Sequence, residues 1–183
     1  KTNASSNGVT DNLTGCYACL GALRYMSISD LRLDDTDICV LLTGGKNAGN
    51  AGAKAYEKEF GESDRALETT VIALDTLNSS GDITVKDAKG KYAKFIASAF
   101  ENAGCEYKTG NIKYLKGDGK IFAKKKTPCV TLTSLPEEAP DYYKSDLDNC
   151  DLLDPKPVEQ AIKVMLEAAY LKDAPAPEKK EKK

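Results

Sequence analysis

Two apolar runs of β-forming residues each lead to polar side chains that could take part in catalysis or in metal binding. Residues 37–43 lead into a loop that carries Lys46 and Asn47, and residues 69–75 end at Asp75. In open α/β sheets, functional groups lie beyond the carboxyl ends of the strands. Carboxylates at such positions serve as metal ligands or in acid–base catalysis. These two segments are therefore the first place to look for a site.

The absence of histidine limits the chemistry of that site. The chain has 183 residues and none of them is histidine. Most catalytic zinc sites use at least one imidazole, and so do most general-base arrangements. Much of hydrolytic chemistry is therefore disfavoured.

A glycine-rich loop follows the first apolar run and raises the alternative of phosphate binding. Its glycines are Gly44, Gly45, Gly49 and Gly52. A P-loop requires Gly-Lys-Ser/Thr after its last glycine, whereas this chain continues Gly52-Ala53-Lys54. Nucleotide binding is therefore disfavoured.

Composition and charge are those of an ordinary soluble domain. Hydrophobic residues make up 41% and charged residues 30%, and the formal net charge is −2. That charge gives no reason to expect a nucleic-acid partner. No apolar run approaches the roughly 20 residues that span a bilayer, and no targeting segment is visible. The six cysteines are predicted to be small buried thiols. Disulfides between them would indicate an extracellular protein, so the localisation stays open.

The hydrophobic periodicity predicts alternating strands and helices. The predicted strands are residues 37–43, 69–75, 81–85 and 128–133. The predicted helices are residues 13–26, 51–60, 92–103 and 158–171. Nearly continuous apolar strands that alternate with helices predict an α/β fold, with a mixed, mainly parallel sheet covered by helices on both faces.

The ends of the chain differ in composition from its middle. Residues 1–9 are polar and predicted to be loose, and residues 10–172 are predicted to form one domain. Residues 173–183 combine an alternating Ala/Pro stretch with a Lys/Glu run, which is typical of a disordered tail or a linker.

Four segments carry a resemblance to a known family. They are residues 8–26, 41–60, 68–76, and a C-terminal pair at 116–132 and 141–155. In this order and spacing they resemble the di-zinc aminopeptidases of peptidase family M28, which include bacterial leucyl aminopeptidases and glutamate carboxypeptidase. The resemblance runs from about Gly8 to Leu171 and implies the family's fold, with its N-terminal strands and a helix missing.

The resemblance also implies which positions would form a di-zinc centre. The bridging aspartate of the Gly-x-x-Asp-Asn pattern falls on Asp11, and a further carboxylate ligand falls on Asp75. The family's Glu-Glu pair falls on Lys46, at the general-base position, and on Asn47, at a ligand position. The last histidine falls on Lys144. The first histidine has no counterpart.

These replacements predict a degenerate site with no catalytic residue intact and no metal. A catalytic zinc needs about three protein ligands, and only the carboxylates of Asp11 and Asp75 remain. We therefore expect no cofactor in this chain, although the family uses zinc. Two facing carboxylates in a partly desolvated pocket repel each other. We predict that the ammonium groups of Lys46 and Lys144 neutralise them in place of two zinc ions.

Simpler roles for the same residues stay open. Asp11 precedes a helical pattern and could serve only as its N-cap. Lys46 and Lys144 could be solvated surface lysines.

The function predicted from the sequence is that of a catalytically inactive aminopeptidase-like domain, a pseudopeptidase used for binding or assembly. One alternative is a fragment of an active zinc aminopeptidase, and another is a structural subunit of a filament or coat. A sheet that lacks edge strands exposes unpaired backbone. The expected partner is therefore a protein, either another chain that completes the sheet or further copies of this one.

Overall fold

A computed structural model describes residues 7–61, 63, 65–78, 81–88, 90–124 and 127–174. Its helices are α1 (Thr14–Ile28), α2 (Ala51–Phe60), α3 (Arg65–Glu68), α4 (Lys91–Asn102), α5 (Gly119–Lys124) and α6 (Pro155–Asp173). Its strands are β1 (Val71–Leu74), β2 (Ile83–Lys86), β3 (Tyr107–Thr109) and β4 (Cys129–Thr133). Short helical turns cover Val9–Leu13, Lys46–Ala48 and Cys150–Leu152. None of the described helices is long and apolar enough to cross a membrane.

The described strands form one mixed sheet in the order β1-β4-β2-β3. Strand β1 pairs with β4 in parallel, with Val71 opposite Cys129, and β2 pairs with β3 in parallel. The pairing of β2 with β4 is antiparallel and places Val85 opposite Leu132. This topology confirms the predicted mixed, mainly parallel sheet.

Helices cover both faces of this sheet, as predicted. Successive residues of a strand point to opposite faces. In β4, Val130 and Leu132 belong to the main core with residues of α1, α4 and α6. Cys129 instead joins a smaller cluster with Ala53 of α2 and Phe122 of α5. The nearly continuous apolar character of β4 therefore follows from burial on both sides.

Local sequence signals explain the helix that completes the main core. Asp154 caps α6 by accepting a hydrogen bond of 2.9 Å from the Lys156 N–H, and Pro155 occupies its first turn. The buried face of α6 has residues three and four apart: Ala161, Val164 and Ala168. Helices α1 and α6 pack closely, because a Cβ on Gly21 would lie only 2.9 Å from Ile162 Cδ1.

The strand predicted at residues 37–43 is not formed. The segment is irregular, and no backbone–backbone hydrogen bond joins it to any other described residue. A strand requires a neighbour to bond with, and no described strand flanks this segment. Strand β3 and the short helices α3 and α5 were not predicted.

The prediction of buried thiols is correct only in part. All six cysteines are free, and Cys129 is buried, but Cys39 and Cys150 are exposed. Cys39 is exposed because none of the described strands lies beside its segment. The predicted loose segment 1–9 and tail 173–183 lie mostly outside the described residues, whereas Asp173 ends α6.

Candidate functional site

A buried ion triad lies at the carboxyl end of β1. The Lys46 Nζ is 2.5 Å from Asp75 Oδ1 and also donates to Asp11 Oδ1. The side chains are 18% exposed for Lys46, 2% for Asp11 and 4% for Asp75. Three residues that the sequence singled out are therefore brought together here.

The position of Asp75 is set by the end of its strand and by Asn12. The Asp75 N–H continues the β1–β4 ladder by donating to the Leu132 carbonyl at 3.0 Å. The Asn12 amide donates to the Leu74 carbonyl at 2.9 Å and accepts from the Thr76 N–H at 2.9 Å. One side chain thus holds the backbone on both sides of Asp75. The Thr76 hydroxyl also donates to Asp75 Oδ1 at 3.0 Å.

Asp11 is positioned by a second buried carboxylate, Asp148. The Thr10 N–H donates to Asp148 Oδ1 at 2.7 Å and the Asp11 N–H donates to Asp148 Oδ2 at 3.2 Å. Helix α1 begins after Leu13, without a side-chain cap. The alternative of Asp11 as an N-cap is therefore wrong, because its carboxylate faces Lys46 instead.

A hydrogen-bonded loop presents Lys46. Asn50 donates to Asp118 Oδ1 at 2.6 Å and to the Lys116 carbonyl at 3.1 Å. The Thr43 hydroxyl donates to the other oxygen of Asp118. The loop is thus fixed to the segment before α5 on both sides of Lys46.

The loop glycines have a packing role in this arrangement. The Gly52 N–H donates to the Gly44 carbonyl at 3.0 Å. A Cβ on Gly52 would lie 2.6 Å from that carbonyl oxygen, so only glycine permits the contact. Gly45 has a positive φ of 70°. These requirements account for glycines that would otherwise indicate a phosphate loop.

The surroundings of the triad shift the pKa of Lys46 and the pKa of Asp75. Burial alone would lower the pKa of Lys46, but the charges of Asp75 and Asp11 outweigh it and raise that pKa above its ordinary value. Burial raises the pKa of Asp75, against the opposing effect of Lys46, and the nearby Asp11 charge raises it further. Lys46 is therefore an ammonium at neutral pH and cannot accept a proton.

Tyr143 lies beside the triad. Its hydroxyl is buried, as is Asp11 Oδ2, and neither atom has a hydrogen-bond partner among the described residues. Burial raises the pKa of Tyr143, opposed by the charge of Lys46 and reinforced by those of Asp11 and Asp75. Its ring packs edge-on against Tyr114, with centroids 5.1 Å apart. The hydroxyl is therefore neutral at neutral pH.

The other two predicted site residues are not part of the triad. Lys144 forms no ion pair with Asp11 or Asp75 within the described part of the chain, and its Nζ lies 5.0 Å from the centroid of the Tyr143 ring. Its predicted role as a second counter-ion is therefore not fulfilled. Asn47 lies in the turn Lys46–Ala48 and is exposed.

Sequence reasoning missed four residues that build the site: Asn12, Asp118, Tyr143 and Asp148. Asn12 and Tyr143 directly adjoin the singled-out Asp11 and Lys144, so the matched motifs contained a signal for them. Asp148 lies in a loop with several acidic residues, and nothing in its spacing distinguishes it.

Comparison with known proteins agrees with this architecture. The sequence model of Peptidase family M28 matches residues 1–169 of the chain. The chain belongs to peptidase family M28. The comparison with curated proteins gives no match.

Solved structures similar to this M28 chain are bacterial aminopeptidases. An aminopeptidase from Aneurinibacillus sp. strain AM-1 has a TM-score of 0.78 at 20% identity, over 95% of this chain and 42% of that one. A zinc aminopeptidase from Bacillus subtilis has a TM-score of 0.76 at 18% identity, over 92% and 43%. The LapA aminopeptidase of Legionella pneumophila has a TM-score of 0.75 at 13% identity, over 93% and 48%. At these identities the likeness is one of fold, and the chain spans less than half of each structure.

The prediction that this chain has no cofactor is wrong, because the family to which it belongs indicates zinc. The Bacillus subtilis structure is of a zinc aminopeptidase, so the family indicates zinc. The side chains at this site do not fit that ion, because the Lys46 ammonium occupies the space between the two carboxylates. No group of three or more His, Cys, Asp or Glu side chains that could hold a metal occurs among the described residues. No hydrolytic step through zinc follows from this arrangement.

Proposed function

We propose that this M28 chain is a catalytically inactive aminopeptidase-like domain that serves in binding or assembly. The observation that carries the proposal is the position of Lys46. By the family resemblance Lys46 takes the place of the general base, and its Nζ lies between Asp11 and Asp75.

The charge state of the triad supports this function. A general base must accept a proton near the operating pH, and the raised pKa of Lys46 keeps it protonated. The two carboxylates share that ammonium through Oδ1 of each. Tyr143 is a poor base as well, because the protonated hydroxyl is its stable form. The site thus retains two buried polar atoms without a partner among the described residues, Asp11 Oδ2 and the Tyr143 hydroxyl, but lacks a group that can activate water.

Aminopeptidase assays test the proposal directly. The purified chain is incubated with a panel of aminoacyl p-nitroanilides, with and without added Zn²⁺, beside a matched protein-free blank. We expect no turnover above that blank in either condition. Zn²⁺-dependent turnover that disappears in Asp11→Ala would overturn the proposal, whereas turnover that survives Asp11→Ala would indicate a contaminating peptidase.

The second candidate function is that of part of an active zinc aminopeptidase. The observation in its favour is that the chain covers only 43% of the length of the Bacillus subtilis zinc aminopeptidase. Under this alternative, the chain would be part of a larger aminopeptidase, and other residues of that protein would complete the active centre. Turnover of the chain that depends on both Zn²⁺ and Asp11 would favour this second candidate, because the first predicts none.

A further inference from the structure

Helix α1 carries two cysteines one turn apart. Cys16 and Cys19 are three residues apart within Thr14–Ile28, and both are free thiols of intermediate exposure. Side chains three residues apart on a helix lie on the same face. The other four cysteines stand singly in separate segments of the chain. Among the six cysteines, Cys16 and Cys19 are therefore the two that one helix places side by side.

The thiols of Cys16 and Cys19 lack the hydrogen bonds made by two of the other cysteines. The thiols of Cys105 and Cys129 donate to backbone carbonyls at 3.5 Å and 3.7 Å. No described residue forms a hydrogen bond with the thiol of Cys16 or with that of Cys19. Both sulfur atoms of the pair are therefore available to a ligand.

The two thiols of the pair also affect each other. Burial raises the pKa of Cys19, and a negative charge on Cys16 raises that pKa further. A nearby like charge disfavours the charged form of an acid in this way. Two thiolates at these positions therefore repel each other unless a cation lies between them.

The helix also sets the distance between the two cysteines. Cβ atoms one turn apart on a helix are separated by about 5–6 Å, whereas a disulfide requires about 3.5–4.5 Å between them. Ala18 lies between the cysteines in sequence and is buried in the main core with residues of α6, so this turn of α1 is held in place. A metal ion bridges a wider gap, because two metal–sulfur bonds replace one sulfur–sulfur bond of about 2.0 Å. The spacing therefore favours a bridging ion over a disulfide.

We propose that Cys16 and Cys19 bind one Cu(I) ion between their two thiolates. Thiolates are soft ligands and favour Cu(I). A zinc ion needs three or four protein ligands, and the described residues include no group of three or more His, Cys, Asp or Glu side chains that could hold a metal. Cu(I) accepts two sulfur ligands in a linear arrangement, so the pair suffices for it. Both thiols release their protons when the ion binds, and its positive charge offsets the repulsion between the thiolates.

Titration of the full chain with Cu(I) tests the site. The chain is reduced, kept free of oxygen and titrated in the presence of bicinchoninate, a chelator whose Cu(I) complex is coloured. We expect the chain to withhold one Cu(I) from the chelator. Cys16→Ser and Cys19→Ser should each raise the Cu(I) dissociation constant by at least about 100-fold, because loss of an outer partner alone costs about 10- to 100-fold and here a ligand itself is lost.

Single exposed thiols provide the matched controls. Cys39→Ser and Cys150→Ser each remove one exposed thiol and should leave the dissociation constant unchanged. X-ray absorption at the copper edge, measured on the unsubstituted chain, gives a second readout that does not depend on how the variants fold. We expect it to show two sulfur neighbours around the ion.

Several outcomes would rule out this Cu(I) site. The chain might withhold no Cu(I) from the chelator, or the absorption spectrum could show three or more sulfur neighbours. Equal weakening in Cys16→Ser and Cys39→Ser would place the ion on single thiols. Displacement of Cu(I) by an equal concentration of Zn²⁺ would contradict the selectivity of a two-thiolate site. Turnover in the nitroanilide assay would overturn the inactive-domain proposal and leave this one intact.

Discussion

The Lys46 ammonium lies 2.5 Å from Asp75 Oδ1, and both side chains are withdrawn from solvent. Removing the charge of Lys46 leaves Asp75 and Asp11 buried beside each other without a counter-ion. For buried pairs, loss of one partner costs about 3–5 kcal/mol. Because Lys46 keeps some exposure, we expect Lys46→Met to lower the free energy of unfolding at neutral pH by about 3 kcal/mol, as measured by urea denaturation.

Lys144→Met is the control for that substitution. The Lys144 ammonium contacts only the face of Tyr143 among the described residues, and an exposed cation–π contact is worth about 0.5–1 kcal/mol. We expect Lys144→Met to cost no more than that. Equal losses in the two variants would contradict the assignment of Lys46 as the counter-ion.

A double-mutant cycle between Lys46 and Asp75 measures their coupling. Asp75→Asn removes a charge that burial opposes, so the double variant has one buried carboxylate fewer to neutralise. We expect Lys46→Met with Asp75→Asn to be more stable than the sum of the single changes predicts, by about 1–3 kcal/mol. Additive losses would mean that the two residues stabilise the fold independently.

The effect of Lys46→Met should depend on pH. Burial raises the pKa of Asp75 above 3.8, and Lys46 opposes that rise, so the substitution raises the pKa further. An acid with a raised pKa contributes stability below its unfolded value and loses it as pH rises through its folded value. The stability difference between the unsubstituted chain and Lys46→Met should therefore be small near about pH 4 and grow toward about pH 8. Urea unfolding across that range measures it, and a constant difference would contradict the raised pKa.

Asp148 offers a test of how Asp11 is held. Both of its carboxylate oxygens accept backbone N–H groups, from Thr10 and Asp11. Asp148→Asn replaces one acceptor with an NH₂ donor and leaves a buried N–H without a partner, a loss of about 1–3 kcal/mol. Asp146→Asn changes an exposed carboxylate in the same loop and should be nearly neutral. Thermal unfolding of the two variants gives the comparison, and a neutral Asp148→Asn would show that Asp11 is held by other contacts.

Helices and strands whose own residues show a clear hydrophobic pattern were predicted correctly. Helix α2 spans Ala51–Phe60 as its pattern indicates, and β1 and β4 fall within the predicted runs. Segment 37–43 had an equally strong β signal and forms no strand. A segment forms a strand only if a neighbouring strand offers backbone groups for hydrogen bonds, and the sequence of segment 37–43 does not show whether one is present. Strand β3 is short and largely exposed, so it lacked the apolar run by which strands are recognised.

The site residues that belong to a family motif could be predicted from the sequence. Those that reach the site through long-range contacts could not. The matched motifs brought Asp11, Lys46 and Asp75 to attention, and the structure places them together. The same motif logic put Lys144 among them, but its ammonium lies over an aromatic ring instead. Asp148 binds backbone rather than another side chain, and such a role has no residue-type signature.

The bonds from Asp148 to Thr10 and Asp11 join residues 138 and 137 positions apart. Contacts of such separation form only after the loop between them has closed, and loop closure is entropically costly. The β1–β4–β2 sheet unites residues 71–133 and requires shorter closures. During folding the sheet should therefore precede the contact of Asp148 with Thr10 and Asp11. Asp11 would receive its backbone anchor late, since Asp148 lies near the opposite end of the chain.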